Sequence, residues 1–424
     1  MKILPMLLCL WYGAALAAPA ATPAEPTALQ VWHAAGGQRV EAKALQVTGG
    51  KVQLERADGS KLQVELAKFA AADQAALREH FGLAGVPAPA AGGAAAAVPE
   101  GAVADDLPYP LGVTTEALSC GDEFHYFLYL PKSLRKGGKH PVIFVMSPGG
   151  GSGIDPDRYR PGAERNRWII AVSQESQNGF EGYQKAVDAM IQKVTSTLPI
   201  NPKRMYATGY SGGSRVAFAT AETHKDLAGV IACGAGGNLG SAKQVAYGLS
   251  GTNCFNRTGM ACSFRGFRNK ECVLRYFPGG HDWADEQLCD DAITHLNGVF
   301  LTDNRSACPA DYAYYVEQVN ALIGECMTTA PMRAYMWSSF LTKNGVKDPK
   351  LAAIHATLGQ SEPNKLYVKG LGEIHQFAQK TFANLPGSRH GSDPAAAAAC
   401  KKEAKKYAGT PWEDILNRMG DDAG

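Results

Sequence analysis

The sequence predicts an α/β protein: a mostly parallel central sheet, preceded by a small β unit and followed by a helical extension. Three observations predict it. From residue 121 to about 301, short apolar runs alternate with helix-period segments, the pattern of strands joined by helical crossovers. Residues 29–81 instead alternate apolar and polar positions with period two. After residue 301 only helical periodicity remains, as in Tyr315, Val319, Leu322 and Ile323.

Composition bounds the reading. The 424 residues carry a net charge of only +2, with 45% hydrophobic and 19% charged residues. That is enough apolar material for a large core, and neither sign dominates the far field, so electrostatic binding of nucleic acid or anionic membranes is not expected. Residues 1–17 have one early positive charge at Lys2, an apolar stretch and a small-residue site, Ala14-Ala15-Leu16-Ala17. This is the pattern of a secretory signal peptide, so export to the periplasm or the extracellular space is expected. No later run approaches the ~18 apolar residues of a membrane span. Beyond Cys9, seven of the remaining nine cysteines fall between Cys233 and Cys326. In an exported protein this density predicts several disulfides and, from the odd count, one unpaired thiol.

The elements follow in order. Between 29 and 83, Val31, Val40, Ala42, Val47, Val52 and Leu54 alternate, and the turn Asp58-Gly59 leads into Leu62, Val64 and Leu66, which predicts hairpins, with a short helix over 71–80. The residues Val31-Trp32, Val40-Glu41-Ala42, Gly50-Lys51-Val52, Asp58-Gly59, Val64-Glu65-Leu66, Lys68 and Asp73 make this segment resemble the SLA1 homology domain 1 (SHD1) family, an SH3-like small barrel. The resemblance implies a peptide- or protein-binding module, linked in endocytic adaptors to cytoskeletal and ubiquitin partners; against it stands a barrel in which Trp32 is only core. Residues 84–105 are almost entirely Ala, Gly, Pro and Val, a linker with too little side-chain variety to bury a core. Residues 106–301 hold the sheet, with strands expected at 124–130, 142–146, 168–172, 205–208, 228–233, 244–249 and 272–277 and a helix at 183–195. Residues 302–424 form the helical extension, broken at Pro331, Pro349, Pro363 and Pro386, and its lysines at 401, 402, 405 and 406 are expected on a solvated face.

Chemistry concentrates at Gly209-Tyr210-Ser211-Gly212-Gly213, set between a β-prone run and a helix-like one. A serine at a strand-to-helix turn is sterically strained and needs small residues two places before and after it, the layout of a nucleophile elbow. With the strand–helix alternation around it, this stretch resembles the α/β-hydrolase fold, nearest to secreted feruloyl esterases and polyhydroxybutyrate depolymerases. His281, after the last expected strand and the turn Pro278-Gly279-Gly280, stands where that fold places its general base. Gly212 and the loop with Gly149 and Gly150 supply backbone amides for an oxyanion hole, the donor in the loop being undecided.

The acid is the irregular member. No Asp or Glu occurs between Asp226 and Glu271, the interval in which it belongs. In hydrolases of this kind a segment like Gly-Thr-x-Asp-Phe-Asn carries it; here the segment reads Gly251-Thr252-Asn253-Cys254-Phe255-Asn256. Asn253 or Asn256 could orient His281 through an amide oxygen, or Cys254 through its sulfur, although the cysteine density favours a disulfide there. Asp282, Asp285 and Glu286 read better as the cap of a helix over 283–301. The leading expectation is an exported serine hydrolase of carboxylic esters, small or polymeric, with Ser211 as nucleophile and His281 as base. It needs no metal or organic cofactor and carries the SHD1-like segment as a partner-binding module. The rival is a non-catalytic adaptor that binds through that segment and keeps a degenerate hydrolase domain.

Overall fold

The computed structural model describes residues 27–33, 39–48, 51–56, 61–65, 69, 73, 76–77, 80–81, 107–121, 123–135, 137–382 and 393–423. The signal-peptide and linker readings, with most of the expected helix over 71–80, lie outside these residues. The chain divides into two compact units, residues 1–94 and 95–424.

The first unit is an antiparallel meander of four strands, β1 (Gln30–His33), β2 (Arg39–Thr48), β3 (Lys51–Arg56) and β4 (Lys61–Glu65). Alternation sorts its side chains: Ala42, Ala44, Val52 and Leu54 point inward, while Glu41 and Lys43 face solvent. Trp32 is core. Its ring meets Phe69 edge to face at 6.0 Å, and its indole N–H donates to the Ala42 carbonyl at 2.9 Å.

The second unit is built on an eight-stranded sheet. Its strands are β5 (Leu118–Ser119), β6 (His125–Tyr129), β7 (His140–Met146), β8 (Ile169–Ser173), β9 (Ile200–Tyr210), β10 (Gly229–Cys233), β11 (Val245–Gly251) and β12 (Val273–Phe277). Across the sheet they run β5-β6-β8-β7-β9-β10-β11-β12. β6 is antiparallel to its neighbours β5 and β8, and the other strands run parallel. The swap of β7 and β8 and the single reversed strand next to the edge make this the α/β-hydrolase topology. The crossover helices are α1 (Arg160–Asn166), α2 (Tyr183–Thr197), α3 (Gly212–Thr223) and α4 (Arg257–Gly266), and α5 (Glu286–Asp303) follows the last strand.

Period-two alternation decides which face each strand residue joins. Val142, Phe144 and Met146 of β7 pack with Val187 and Met190 of α2 and Phe218 of α3. Ile143 and Val145 pack on the other face with Ala292, Ile293 and Leu296 of α5. β7 is buried throughout, as a central parallel strand must be.

The extension adds α6 (Pro309–Thr329), α7 (Pro331–Lys343), α8 (Pro349–Leu358), α9 (Glu362–Phe382), α10 (Pro394–Ala404) and α11 (Pro411–Ala423). α6, α7 and α8 share a core around Tyr315, Trp337 and Leu341. Tyr367, Ile374, Phe382, Trp412 and Leu416 of α9 and α11 join the core on the α2–α3 face of the sheet. Polar bonds fix the junction: Arg275 of β12 meets Asp291 of α5 at 2.8 Å, Asp291 also takes Arg333 of α7 at 2.8 Å, and Arg275 donates to the Tyr367 hydroxyl at 2.6 Å.

The expected disulfides are absent: the nine cysteines among the described residues are all free. Their clustering in sequence does not survive folding, because Cys233 and Cys289 lie in the α5-side core, Cys254 lies beside His281, and Cys272 accepts the Ala246 amide. Among the described residues no helix is long and apolar enough to cross a membrane.

Candidate active site

β9 ends at Tyr210 and α3 begins at Gly212, so Ser211 alone turns the chain. Its backbone sits at φ 52°, ψ −115°, a conformation that costs a non-glycine residue about 1–3 kcal/mol and persists only where the surroundings enforce it. Here the Ser211 amide is held by the Cys233 carbonyl at 2.8 Å. The flanking glycines are needed sterically. A Cβ on Gly209 would lie 2.4 Å from the Gly213 backbone, and one on Gly213 would lie 2.2 Å from the Met146 carbonyl oxygen.

His281 follows β12, and its Nε2 stands 2.7 Å from Ser211 Oγ. The imidazole is packed between Phe255, at 3.9 Å between centroids, and Tyr210, at 4.9 Å. The Tyr210 hydroxyl donates to the His281 carbonyl. Burial, with the positive charge of Arg215, holds the imidazole below its ordinary range, against a smaller opposing pull from Asp282. At neutral pH the ring is therefore uncharged, the state a general base requires.

The loops after β11 and β12 are joined along their length. Thr252 N donates to Phe277 O at 2.9 Å and Asn253 N donates to Gly279 O at 2.8 Å, while a Cβ on Gly251 would sit 2.0 Å from the Gly280 carbonyl. This joining carries Cys254 to the far side of the imidazole, where its Sγ lies 3.1 Å from Nδ1. Cys254 is a fully buried, free thiol. The expectation of a disulfide at this position is thus corrected.

Neither asparagine does the orienting. Asn253 is exposed, and Asn256 donates its amide to the Gly234 carbonyl at 2.8 Å while its oxygen faces Arg215 at 3.4 Å. Asp285 accepts the Leu288 amide at 2.8 Å as the cap of α5, and Asp282 takes the Trp283 amide at 3.2 Å. If Nε2 is to take the serine proton, Nδ1 must carry its own and donate it to sulfur. The thiol is kept neutral, since burial pushes its pKa up. The amides of Asn256 and Arg257, the Ser250 hydroxyl and the Arg257 charge pull the other way.

The expected oxyanion donors are the Gly212 amide and an amide of the loop after β7. Gly212 N is the first amide of α3, and the α3 dipole adds to it. In the other loop the structure separates the candidates. Gly150, at φ 84°, donates its amide to Ser147 O at 3.1 Å, and Gly151 donates to Ser173 O at 3.0 Å. Gly149 N is left without a hydrogen-bond partner among the described residues. The Gly150 amide is thus engaged in the turn, while that of Gly149 is free to donate.

One residue near the site carried no sequence signal. Asn178 anchors through its amide to Pro148 O at 2.9 Å, and its side-chain oxygen lies 1.7 Å from where a Cβ on Gly212 would be. Its amide group therefore occupies the space beside Gly212 that a larger residue at that position would need.

The fold and site together define a chain of α/β-hydrolase topology with a serine–histidine pair at its elbow and a thiol where a carboxylate is customary. Residues 20–83 match the family SLA1 homology domain 1, SHD1. Among solved structures the chain is similar to the S-formylglutathione hydrolase of Staphylococcus aureus at 13% identity and a TM-score of 0.37, over 45% of this chain and 99% of that one. It is similar to a ferulic acid esterase at 15% identity and a TM-score of 0.35, over 43% of this chain and 93% of that one. It also resembles a hyperthermophilic esterase of Pyrobaculum calidifontis at 11% identity and a TM-score of 0.37, over 45% and 87%. No curated protein sequence matches the chain.

Proposed function

We propose that the chain is an exported serine hydrolase of carboxylic esters. The single observation that carries this reading is the 2.7 Å approach of His281 Nε2 to Ser211 Oγ at a strained strand-to-helix turn. His281 takes the Ser211 proton as Oγ attacks the ester carbonyl. The amides of Gly212 and Gly149 stabilise the oxyanion, and the protonated His281 then returns the proton to the departing alcohol. Water, activated by the same histidine, releases the acid from the acyl-serine. Cys254 holds the productive tautomer through Nδ1 but offers the imidazolium no charge, so turnover is slow relative to a carboxylate triad.

A fluorophosphonate probe tests the reading. It is expected to label Ser211, with p-nitrophenyl butyrate hydrolysis lost in Ser211→Ala. Folded protein that neither labels nor hydrolyses the ester defeats it.

A second reading is favoured by one observation, the thiol in the acid's place: a hydrolase shell without turnover, serving an SHD1-like binding module. Residual esterase activity unchanged by Ser211→Ala would favour it. Export is tested separately by N-terminal sequencing of the mature protein, which is expected to start after Ala17.

A further inference from the structure

A cavity lies at the other end of the sheet from Ser211. Ser211, Cys254 and His281 all follow the ends of their strands, whereas this cavity, about 770 Å³, is lined by Tyr247 and Val273 near the starts of β11 and β12. Its other walls come from α4, α7 and α9, so it forms where the helical extension meets the sheet edge. The volume lies within the ~300–1,000 Å³ typical of small-molecule sites, and junctions of this kind are where such sites occur.

Its chemistry is two-sided. Phe264, Phe267, Met336, Trp337, Phe340 and Leu371 give it an apolar, largely aromatic wall. Four cations also line it, Arg265, Lys270, Lys343 and Lys380, against one carboxylate, Glu271. Lys270 faces Glu271 at 3.9 Å, and the other three cations are exposed with no ion pair among the described residues. His295 lines the same space. Its Nε2 meets the Glu271 carbonyl at 2.9 Å, which makes that nitrogen the donor, and burial holds the ring's pKa down against the opposing pull of Glu271. The cavity therefore combines an apolar wall with an uncompensated positive rim.

We propose that this cavity binds an amphipathic monocarboxylate, its apolar tail against Phe264, Trp337 and Phe340 and its carboxylate at Arg265, Lys343 and Lys380. A neutral apolar ligand would leave the three cations unanswered, and a cationic one would be repelled by them. The site uses no residue of the Ser211 centre and stands whether or not that centre turns over.

Calorimetric titration of the full chain with decanoate, below its micelle concentration, tests this. Saturable binding at one site per chain is expected, unchanged in Ser211→Ala. Joint reversal of Arg265→Glu, Lys343→Glu and Lys380→Glu is expected to weaken decanoate by at least about tenfold while leaving decan-1-ol unaffected. Gly372→Trp fills the cavity from α9, where a Cβ meets no atom within 4 Å, and is expected to abolish binding of both. Absence of saturable decanoate binding, indifference to the charge reversals, or loss of binding on fluorophosphonate labelling of Ser211 would each overturn the proposal.

Discussion

Replacing Cys254 with aspartate tests the site most directly. In the proposed mechanism the imidazolium formed when His281 takes the serine proton faces a neutral sulfur at 3.1 Å. A carboxylate there would face a full positive charge. At an effective dielectric of ~20 and a charge separation of ~4 Å this attraction is ~4 kcal/mol, or ~10³ in rate. The upper bound is the ~10⁴ lost when a triad aspartate becomes asparagine. Burial of the new charge opposes the gain, and the nearby Arg257 charge offsets part of that cost. A carboxylate oxygen also reaches further from Cβ than sulfur does, so the side chain must rotate slightly to fit. The assay is the pH profile of kcat/KM for p-nitrophenyl butyrate. In the parent protein the acid limb lies below the ordinary imidazole range, because burial and Arg215 depress His281 and activity falls only as pH drops through that lowered value. Cys254→Asp is expected to raise kcat/KM by ~10²–10³ and to move the acid limb to higher pH. A folded variant with neither gain nor shift would refute the assignment of Cys254 to the acid's place.

Three further outcomes are expected. Gly212→Ala drives a methyl group into Asn178, so it should lower the second-order rate of fluorophosphonate labelling, while Asn178→Gly in the same chain restores part of it. Asp291→Asn removes the charge shared by Arg275 and Arg333 and should cost ~3–5 kcal/mol in urea unfolding, as expected when one partner of a buried ion pair is lost. His140 is buried and its pKa is held down at about 4, first by desolvation. The unfolded chain therefore binds the proton first as pH falls from about 6.5, and stability is lost between there and pH 4, on the order of 3 kcal/mol. His140→Gln should flatten that slope in denaturant titrations at pH 7 and pH 4.5.

Much of the sheet was legible because each strand is a short apolar run whose neighbours are fixed by crossover chemistry. The elbow was legible because its pattern is local, small residues two places before and after Ser211, although the contact that requires Gly213 is with Met146 of β7. What decided the role of Cys254 is not local. It depends on the joining of two loops some 27 residues apart, which no single run of sequence encodes. The Gly149 and Gly150 amides differ only in whether a turn hydrogen bond engages them, and Asn178 is an exposed loop residue whose only signal is its nearness to Gly212. Counting cysteines predicted disulfides because a count carries no distances.

The shared carboxylate of Asp291 gives the tail a standing that its position in the chain conceals. Ending the protein after α5 would strip Arg333 and Trp337 from one oxygen of that carboxylate and leave Arg275 with only one of its two phenolic partners, Tyr247, having lost Tyr367. The remaining piece would keep every residue of the elbow yet lose the clamp beneath its last strand, whose exit loop presents His281. Deleting the tail is therefore expected to loosen the strand that leads to His281.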